Sequence, residues 1–226
     1  MKGADHSLSG FVAGGAYGIC THLPLPATVM LAGLTAGTAM LPDSDQRCSS
    51  AGRSLGFLSA GVARAIGHIS GGHRHLTHSL AGVAAFTAWA WAGGHWLHHW
   101  EGRGALCLLL AIAFAAAAGS LGAPGHLGDA VAIGAAVGVT FYVPALALVP
   151  LATAIGCLAH IAGDALTKQG VPLLAPLPPK HFRLLPKALA FTTGTWRETV
   201  VVRGVLLAAI PVLIYHAVAL PSWPAL

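Results

Sequence analysis

The sequence predicts an all-α, multi-pass membrane protein with roughly five to seven membrane-embedded helices. The chain of 226 residues is 55% hydrophobic and only 8% charged, and its mean hydropathy is +0.72. A soluble domain carries roughly a quarter charged residues, so this composition is typical of an integral membrane protein. Its 29 glycines also favour close helix packing in lipid, because small residues let helix backbones approach each other.

Seven apolar runs account for the predicted helices, since backbone in lipid must satisfy its own hydrogen bonds. Several runs reach the roughly 20 residues that a helix needs to cross a bilayer, whereas the first two and the sixth are shorter. No internal repeat or change in composition separates the runs, so residues 1–226 are expected to form a single membrane-embedded domain. The runs are residues 8–21, 27–41, 80–100, 105–121, 130–148, 151–166 and 200–220.

Nine of the twelve basic residues lie in two polar segments, residues 43–77 and 168–197. Loops rich in Lys and Arg stay on the cytoplasmic side of a membrane, so we expect both segments there. Four apolar runs separate the segments, an even number that returns the chain to its starting side. The last run then leaves residues 221–226 outside. Membrane-flanking loops also explain the net charge of +5, so the expected partners include membrane lipids and no nucleic acid.

Carboxylate and histidine side chains are concentrated in three short motifs, although the whole chain has only seven acidic residues. In the first motif Pro42 is expected to end a helix, which leaves Asp43 and Asp45 in an extended turn. Alternate residues of an extended chain point the same way, so both carboxylates are expected to face one or two cations. The alternative is that they cap a helix end in a solvated loop.

The second motif contains His73 and His78 on either side of a predicted helix start. Thr77 or Ser79 suits the N-cap of the apolar helix that follows, so the two imidazoles are expected to converge on one point. Thr and Ser beside His also suit the groups that orient metal ligands. Arg74 suits recognition of phosphate or carboxylate through two parallel hydrogen bonds. The alternative is a basic cluster that contacts lipid headgroups.

The third motif is His160 and Asp164, which are four residues apart within an apolar run. On a helix this spacing places both side chains on one face, where they can chelate one ion. A hydrogen-bonded pair that packs two helices is the alternative.

His6 lies beside Asp5 just before the first apolar run, and the expected topology returns it to the side of Asp43. It is therefore a further candidate ligand.

In combination, these motifs resemble the YdjM-type family of bacterial membrane-bound, metal-dependent hydrolases, which is itself similar to zinc-dependent phospholipase C. The resemblance spans nearly the whole chain, from His6 through the motifs at 41–45, 73–79 and 160–174 to a Thr-Gly-Thr-x-x-Glu motif at 193–198. It implies zinc as the cofactor, with manganese or magnesium as alternatives. The metal ligands it implies are His6, Asp43, Asp45, His73, His78, His160 and Asp164.

The sequence therefore predicts a metal-dependent hydrolase at the cytoplasmic face of the cell membrane, in which metal-activated water attacks a phosphoester. A lipid headgroup is the expected substrate, because the motifs lie at the ends of the apolar runs. Arg74 is expected to stabilise developing negative charge. Asp45 or Glu198 is expected to act as the general base. The alternatives are a metal-ion transporter and a membrane protein whose metal only holds helices together.

Overall fold

A computed structural model describes residues 1–96, 98–123, 125–142, 146–177 and 180–219 of the chain. Helices dominate this described part, in which no β-strand occurs and only isolated backbone bridges are found. The all-α prediction is therefore confirmed. The α-helices are α1 (Gly3–Cys20), α2 (Leu25–Thr38), α3 (Ser50–Arg53), α4 (Phe57–Ser70), α5 (Leu80–His95), α6 (Trp100–Ser120), α7 (Gly125–Tyr142), α8 (Leu148–Ala165), α9 (Trp196–Glu198) and α10 (Gly204–Ala219).

Each apolar run corresponds to one long helix, but several boundaries differ from the predictions, as in α7, which covers Gly125–Tyr142 where residues 130–148 were predicted. α1 begins at Gly3, so Asp5 and His6 lie inside the helix and are buried. The helix accommodates these polar side chains because both have ionic partners in the protein interior. The run predicted for residues 80–100 ends earlier, since α5 stops at His95 and α6 begins at Trp100.

Four stretches of the described chain are long and apolar enough to cross a membrane. They are Leu25–Asp45, Trp100–Ser120, Leu148–Ala165 and Trp196–Ala219, and a shorter apolar helix covers Gly125–Phe141. The apolar window of Trp196–Ala219 has no residue buried inside the protein. This exposure is typical of a helix that faces lipid, because lipid chains are as apolar as the side chains they contact.

The long helices form an up-and-down bundle in which α1 packs on α2, α8 and α10, and α5 packs on α6 and α8. Small residues permit these contacts. A Cβ atom built on Gly10 would lie 2.3 Å from the backbone oxygen of Thr35, and one built on Gly156 would lie 2.3 Å from Thr38 Oγ1. The predicted use of glycine for close helix packing is thus seen at the α1–α2 and α2–α8 contacts.

The alternating helix directions bring several helix ends to one end of the bundle, which we call the site end. They include the starts of α1 and α5 and the ends of α2 and α8. Both basic segments are attached there, one between α2 and α5 and the other after α8. The second segment is held against the end of α8 by backbone hydrogen bonds from the N–H of Leu184 to Ala165 and from the N–H of Phe191 to Leu166, the C-cap residue of α8.

Two native cysteines allow the orientation of the bundle to be tested. Cys20 at the end of α1 and Cys48 at the site end are both exposed and lie at opposite ends of α1 and α2. In variants that retain only one of them, we expect an impermeant maleimide added to intact cells to label Cys20. Cys48 should be labelled only after permeabilisation, because it lies in a basic segment.

Labelling of both cysteines from the same side would contradict the up-and-down arrangement of α1 and α2. Labelling of Cys48 alone in intact cells would contradict the cytoplasmic orientation of the site end.

Candidate metal centre

A 3-10 helix, Pro42–Asp45, follows α2, and we call it the Asp turn. The extended conformation predicted for these residues is wrong, because proline also fits the first position of a tight helical turn. Residues two apart in a 3-10 helix lie on different sides of its axis. The carboxylates of Asp43 and Asp45 therefore diverge, so that Asp43 faces His78 and Asp45 faces His73.

Four ligand atoms from the Asp turn, the start of α5 and the end of α8 approach each other, and we call their residues the tetrad: Asp43, His78, His160 and Asp164. His78 Nε2 lies 3.3 Å from His160 Nε2 and 3.4 Å from Asp43 Oδ1. Asp164 Oδ2 lies 3.7 Å from His78 Nε2 and 3.9 Å from His160 Nε2. Asp43 Oδ1 lies 3.7 Å from His160 Nε2. The side chain of Asp43 is 20% exposed, whereas the other three are buried.

The tautomer of His78 follows from its hydrogen bonds. The hydroxyl of Thr77 donates to Asp45 Oδ2 at 2.6 Å, so it has no second proton to give. In the 3.0 Å contact between Thr77 Oγ1 and His78 Nδ1, the imidazole must therefore be the donor. His78 Nε2 consequently carries a lone pair, and this is the atom that meets the other tetrad atoms.

His160 has the same tautomer for a different reason. Its Nδ1 donates to the backbone carbonyl of Ala39 at 2.7 Å, since a carbonyl oxygen can only accept. Its Nε2 therefore also carries a lone pair. A hydrogen bond from the second ring nitrogen to a carbonyl or carboxylate is the usual way in which a metal-binding imidazole is oriented. Both tetrad histidines have such a bond.

With both imidazoles neutral and both carboxylates ionised, the tetrad thus brings together four electron-pair donors, none of which can donate a hydrogen bond to another. Such a set is stable in a protein interior only when a positive charge compensates it. A tetrahedral zinc ion with bonds of roughly 2.0–2.2 Å holds its ligands roughly 3.3–3.6 Å apart. The five separations given above, 3.3 to 3.9 Å, are close to this value. Asp43, His78 and His160 form a group with metal-ligand spacing, and Asp164 Oδ2 lies within 3.9 Å of both histidines, so these side chains fit a divalent metal ion.

His6 extends the tetrad towards α1. Its ring stacks on His160 with the centroids 3.6 Å apart, and its Nε2 lies 3.3 Å from Asp164 Oδ1. The same Asp164 oxygen accepts a hydrogen bond from the ammonium group of Met1. His6, His160 and Asp164 have the spacing of a second group of metal ligands. Asp164 lies between the two groups and presents a different oxygen to each.

Arg74 lies beside the tetrad in a left-handed backbone conformation, with φ of +56°. This conformation costs a residue with a Cβ roughly 1–2 kcal/mol. One Nη atom donates to Asp164 Oδ2 at 2.8 Å, and the other donates to Gln169 Oε1 at 2.5 Å. The guanidinium therefore brings a fixed positive charge to a tetrad carboxylate.

Asp45 lies behind the tetrad and supports it through neighbouring side chains. Its Oδ1 accepts from His73 Nδ1 at 2.9 Å, while its Oδ2 accepts from Thr77. The hydrogen bond to Asp45 raises the pKa of His73 above its ordinary value. The His73 side chain is 34% exposed and lies at the rim of the cluster. Asp45, His73 and His78 form a third group with metal-ligand spacing.

Glu198, one of the two carboxylates predicted to act as the general base, lies outside this cluster. Its Oε1 accepts from the backbone N–H of Lys2 at 3.0 Å, and its Oε2 accepts from that of Gly194 at 2.6 Å. The carboxylate is fully buried. It therefore ties the start of α1 to the segment before α10, and both of its oxygens are occupied by backbone donors.

Several groups that support the tetrad were not identified from the sequence. The carbonyl of Ala39 and the side chain of Gln169 belong to residues that no motif distinguishes. The Asp5–Arg203 ion pair, at 2.7 Å, joins residues 198 positions apart and holds the first turn of α1. Among these supporting groups, only Thr77 could be recognised from the sequence, because a hydroxyl next to a candidate histidine ligand suits a group that orients the ligand.

The fold and the cluster define a polytopic α-helical membrane protein with buried His and Asp groups that can hold a metal ion. The chain belongs to the YdjM inner membrane protein family, whose model matches residues 1–221. This match confirms the resemblance inferred from the motifs and supports a membrane location. No curated protein and no solved structure matches the chain significantly.

Replacement of Thr77 by Val is expected to lower the affinity for zinc by about 10- to 100-fold, because the His78 ring loses the hydroxyl that orients it. Chelator competition on the purified protein measures this affinity. Thr87→Val is the matched control, since Thr87 Oγ1 is buried with no hydrogen-bond partner in the described part of the chain. Equal zinc affinities of the two variants would contradict the orienting role of Thr77.

Proposed function

We propose that the protein is a zinc-dependent hydrolase that cleaves a phosphoester at the cytoplasmic surface of the cell membrane. One observation carries this proposal: two imidazole lone pairs and two carboxylates converge beside the guanidinium of Arg74. A metal-ligand set and a cation that suits phosphate oxygens thus share one site.

Zinc is the metal that suits the tetrad best. Two imidazole nitrogens and two carboxylate oxygens are common zinc ligands, whereas magnesium prefers oxygen ligands in octahedral geometry. Asp43, His78, His160 and Asp164 would hold the ion, and catalysis would require a fifth coordination position for water. When bound, the ion supplies Lewis acidity towards a phosphoryl oxygen and generates a nucleophile from water at neutral pH.

Arg74 has the position and the geometry for phosphate recognition. Its guanidinium lies 2.8 Å from Asp164 Oδ2, so a substrate oxygen next to this ligand lies within its reach. The planar fork of donors matches two phosphate oxygens, and it would stabilise the negative charge that develops during attack.

His73 is the group to which we assign proton transfer. Asp45 fixes one of its ring nitrogens, and its side chain is the most exposed imidazole of the cluster. Asp45 itself already accepts two hydrogen bonds, so it acts by orienting His73 and Thr77.

The position of the cluster supports a lipid substrate. Asp45 is the last residue of one membrane-crossing stretch, and Asp164 precedes the last residue of another, Leu148–Ala165. The ends of such stretches lie where the hydrocarbon layer meets the headgroups. The phosphoester of a lipid headgroup would therefore reach the tetrad without leaving the bilayer surface.

A structural metal site is the second candidate function. The tetrad offers four protein ligands from three elements, and a closed set of four is typical of structural zinc sites. Such a site would hold α2, α5 and α8 together at the site end. The partial exposure of Asp43 and the position of Arg74 favour the catalytic interpretation, because a structural site needs neither.

A substrate panel separates these two candidates. Purified protein loaded with zinc is expected to hydrolyse at least one glycerophospholipid or soluble phosphodiester. Removal of zinc by a chelator should abolish this activity, and added zinc should restore it. Full zinc occupancy without hydrolysis of any phosphoester, combined with a loss of thermal stability after chelation, would favour the structural site.

Arg74→Lys is expected to lower turnover of the identified substrate by about 10²–10³-fold while zinc content stays unchanged. Lysine keeps the charge but loses the planar fork that binds two oxygens at once. Arg183→Lys, an exposed position in the second basic segment, serves as the control. If Arg74→Lys retained full turnover and full zinc content, Arg74 would have no role in transition-state stabilisation.

A further inference from the structure

The helix α4, between the Asp turn and the motif around His73, has two faces of different chemistry. Its inner face packs on the protein, where Ser59, Ala63 and Ser70 are buried and Val62 and Ile66 are partly buried against the apolar core. Its outer face carries large apolar side chains: Phe57 is 85% exposed and Ile69 is 77% exposed. In a helix that packed only against water and its own bundle, this distribution would expose apolar surface without a partner.

Basic residues lie around this apolar face. Arg47 and Arg53 precede α4, and Arg64 lies on its outer face, two turns from Phe57; all three are exposed. Residues 46–100 contain no acidic residue. The segment around α4 therefore has a net positive charge, and its arginines lie next to exposed aromatic and aliphatic side chains.

The packing of α4 places it beside the end of a candidate membrane span. It packs on α3 and on the Asp turn. The contact with the Asp turn is close, since a Cβ built on Gly67 would lie 2.6 Å from the backbone oxygen of Asp45. Asp45 is the last residue of Leu25–Asp45, a stretch that is long and apolar enough to cross a membrane. The ends of such stretches are expected where the hydrocarbon layer meets the headgroups, and α4 lies beside one of them.

We propose that α4 lies in the lipid–water interface at the site end and binds the surface of an anionic bilayer. Phe57, Leu58 and Ile69 insert among the acyl chains, while Arg53 and Arg64 contact lipid phosphates. An amphipathic helix with a basic border binds anionic lipid in this way. The bilayer is the occupant of this face because the neighbouring helices are already embedded in it.

This inference is independent of metal binding and of hydrolysis. It concerns a lipid-binding surface outside the tetrad, and its test needs neither zinc nor a substrate. A failure of the hydrolase proposal would therefore leave it unaffected, and the reverse also holds.

The test uses the full chain in nanodiscs made of equal parts of phosphatidylglycerol and phosphatidylcholine. A bimane fluorophore is attached at Ala65→Cys in a background without other cysteines. Ala65 is exposed and follows Leu58 by two turns on the same face. Bromine atoms on the acyl chains of one lipid or the other then report by quenching which lipid lies next to α4.

We expect brominated phosphatidylglycerol to quench the fluorophore more strongly than brominated phosphatidylcholine, with a local enrichment of about tenfold. Arg53→Gln combined with Arg64→Gln should make the two lipids equal quenchers. Arg183→Gln combined with Lys187→Gln removes the same charge from the other basic segment and should keep the preference.

Equal quenching by the two lipids with all arginines in place would overturn the proposed recognition of anionic lipid. Absence of quenching by either lipid would overturn the interfacial position and would indicate water or a protein partner on this face. Hydrogen exchange on the unmodified chain gives an independent measurement, in which amides 57–70 should exchange more slowly in anionic than in zwitterionic nanodiscs. Equal exchange rates would count against the proposal.

Discussion

Burial of two carboxylates next to two imidazole lone pairs requires a compensating positive charge, and the site end of the bundle is organised around this requirement. Removal of these groups from water costs several kcal/mol for each charge unless cations or donors replace the solvent. Arg74 and the ammonium group of Met1 both contact Asp164, and His6 lies beside them. A divalent ion would compensate all four tetrad atoms at once, because each of them presents an electron pair to the same small volume.

The surrounding protein prevents these groups from neutralising each other by simple hydrogen bonding. Ala39 and Thr77 fix the protons of the two tetrad histidines on the ring nitrogens that face away from the carboxylates. Asp45 fixes the Thr77 hydroxyl in turn. A chain of three hydrogen-bonded groups therefore determines the tautomer of one imidazole. In metal centres, residues around the ligands commonly form hydrogen bonds that orient the ligand side chains. Here these hydrogen bonds also rigidify the helix ends that contribute the tetrad histidines.

Acidic residues are scarce in this chain, and five of the seven lie in the histidine cluster or bind the start of α1. Asp43, Asp45 and Asp164 belong to the cluster. Asp5 and Glu198 instead connect α1 to Arg203, to Gly194 and thereby to the segment that leads into α10. These connections position the first turn of α1, which carries His6. These five acidic residues thus serve one region, partly as candidate ligands and partly as the bonds that hold the helix ends in place.

Sequence alone determined the helical class, the approximate position of the apolar helices and the pairing of His160 with Asp164, because these depend on composition and on local spacing. It did not predict α4, which lies inside the segment 43–77 that was interpreted as a basic loop. Tertiary structure decided which of the candidate site side chains contact each other. The Asp turn is a 3-10 helix rather than extended chain, so Asp43 and Asp45 serve different neighbours. Glu198 resembled a base in sequence, yet its oxygens bind backbone amides almost two hundred residues away and four residues away. The local sequence pattern limits the backbone conformation of a few neighbouring residues. The direction in which a histidine lone pair points depends on its hydrogen-bond partners, and only the packing of helices distant in the chain brings these partners together.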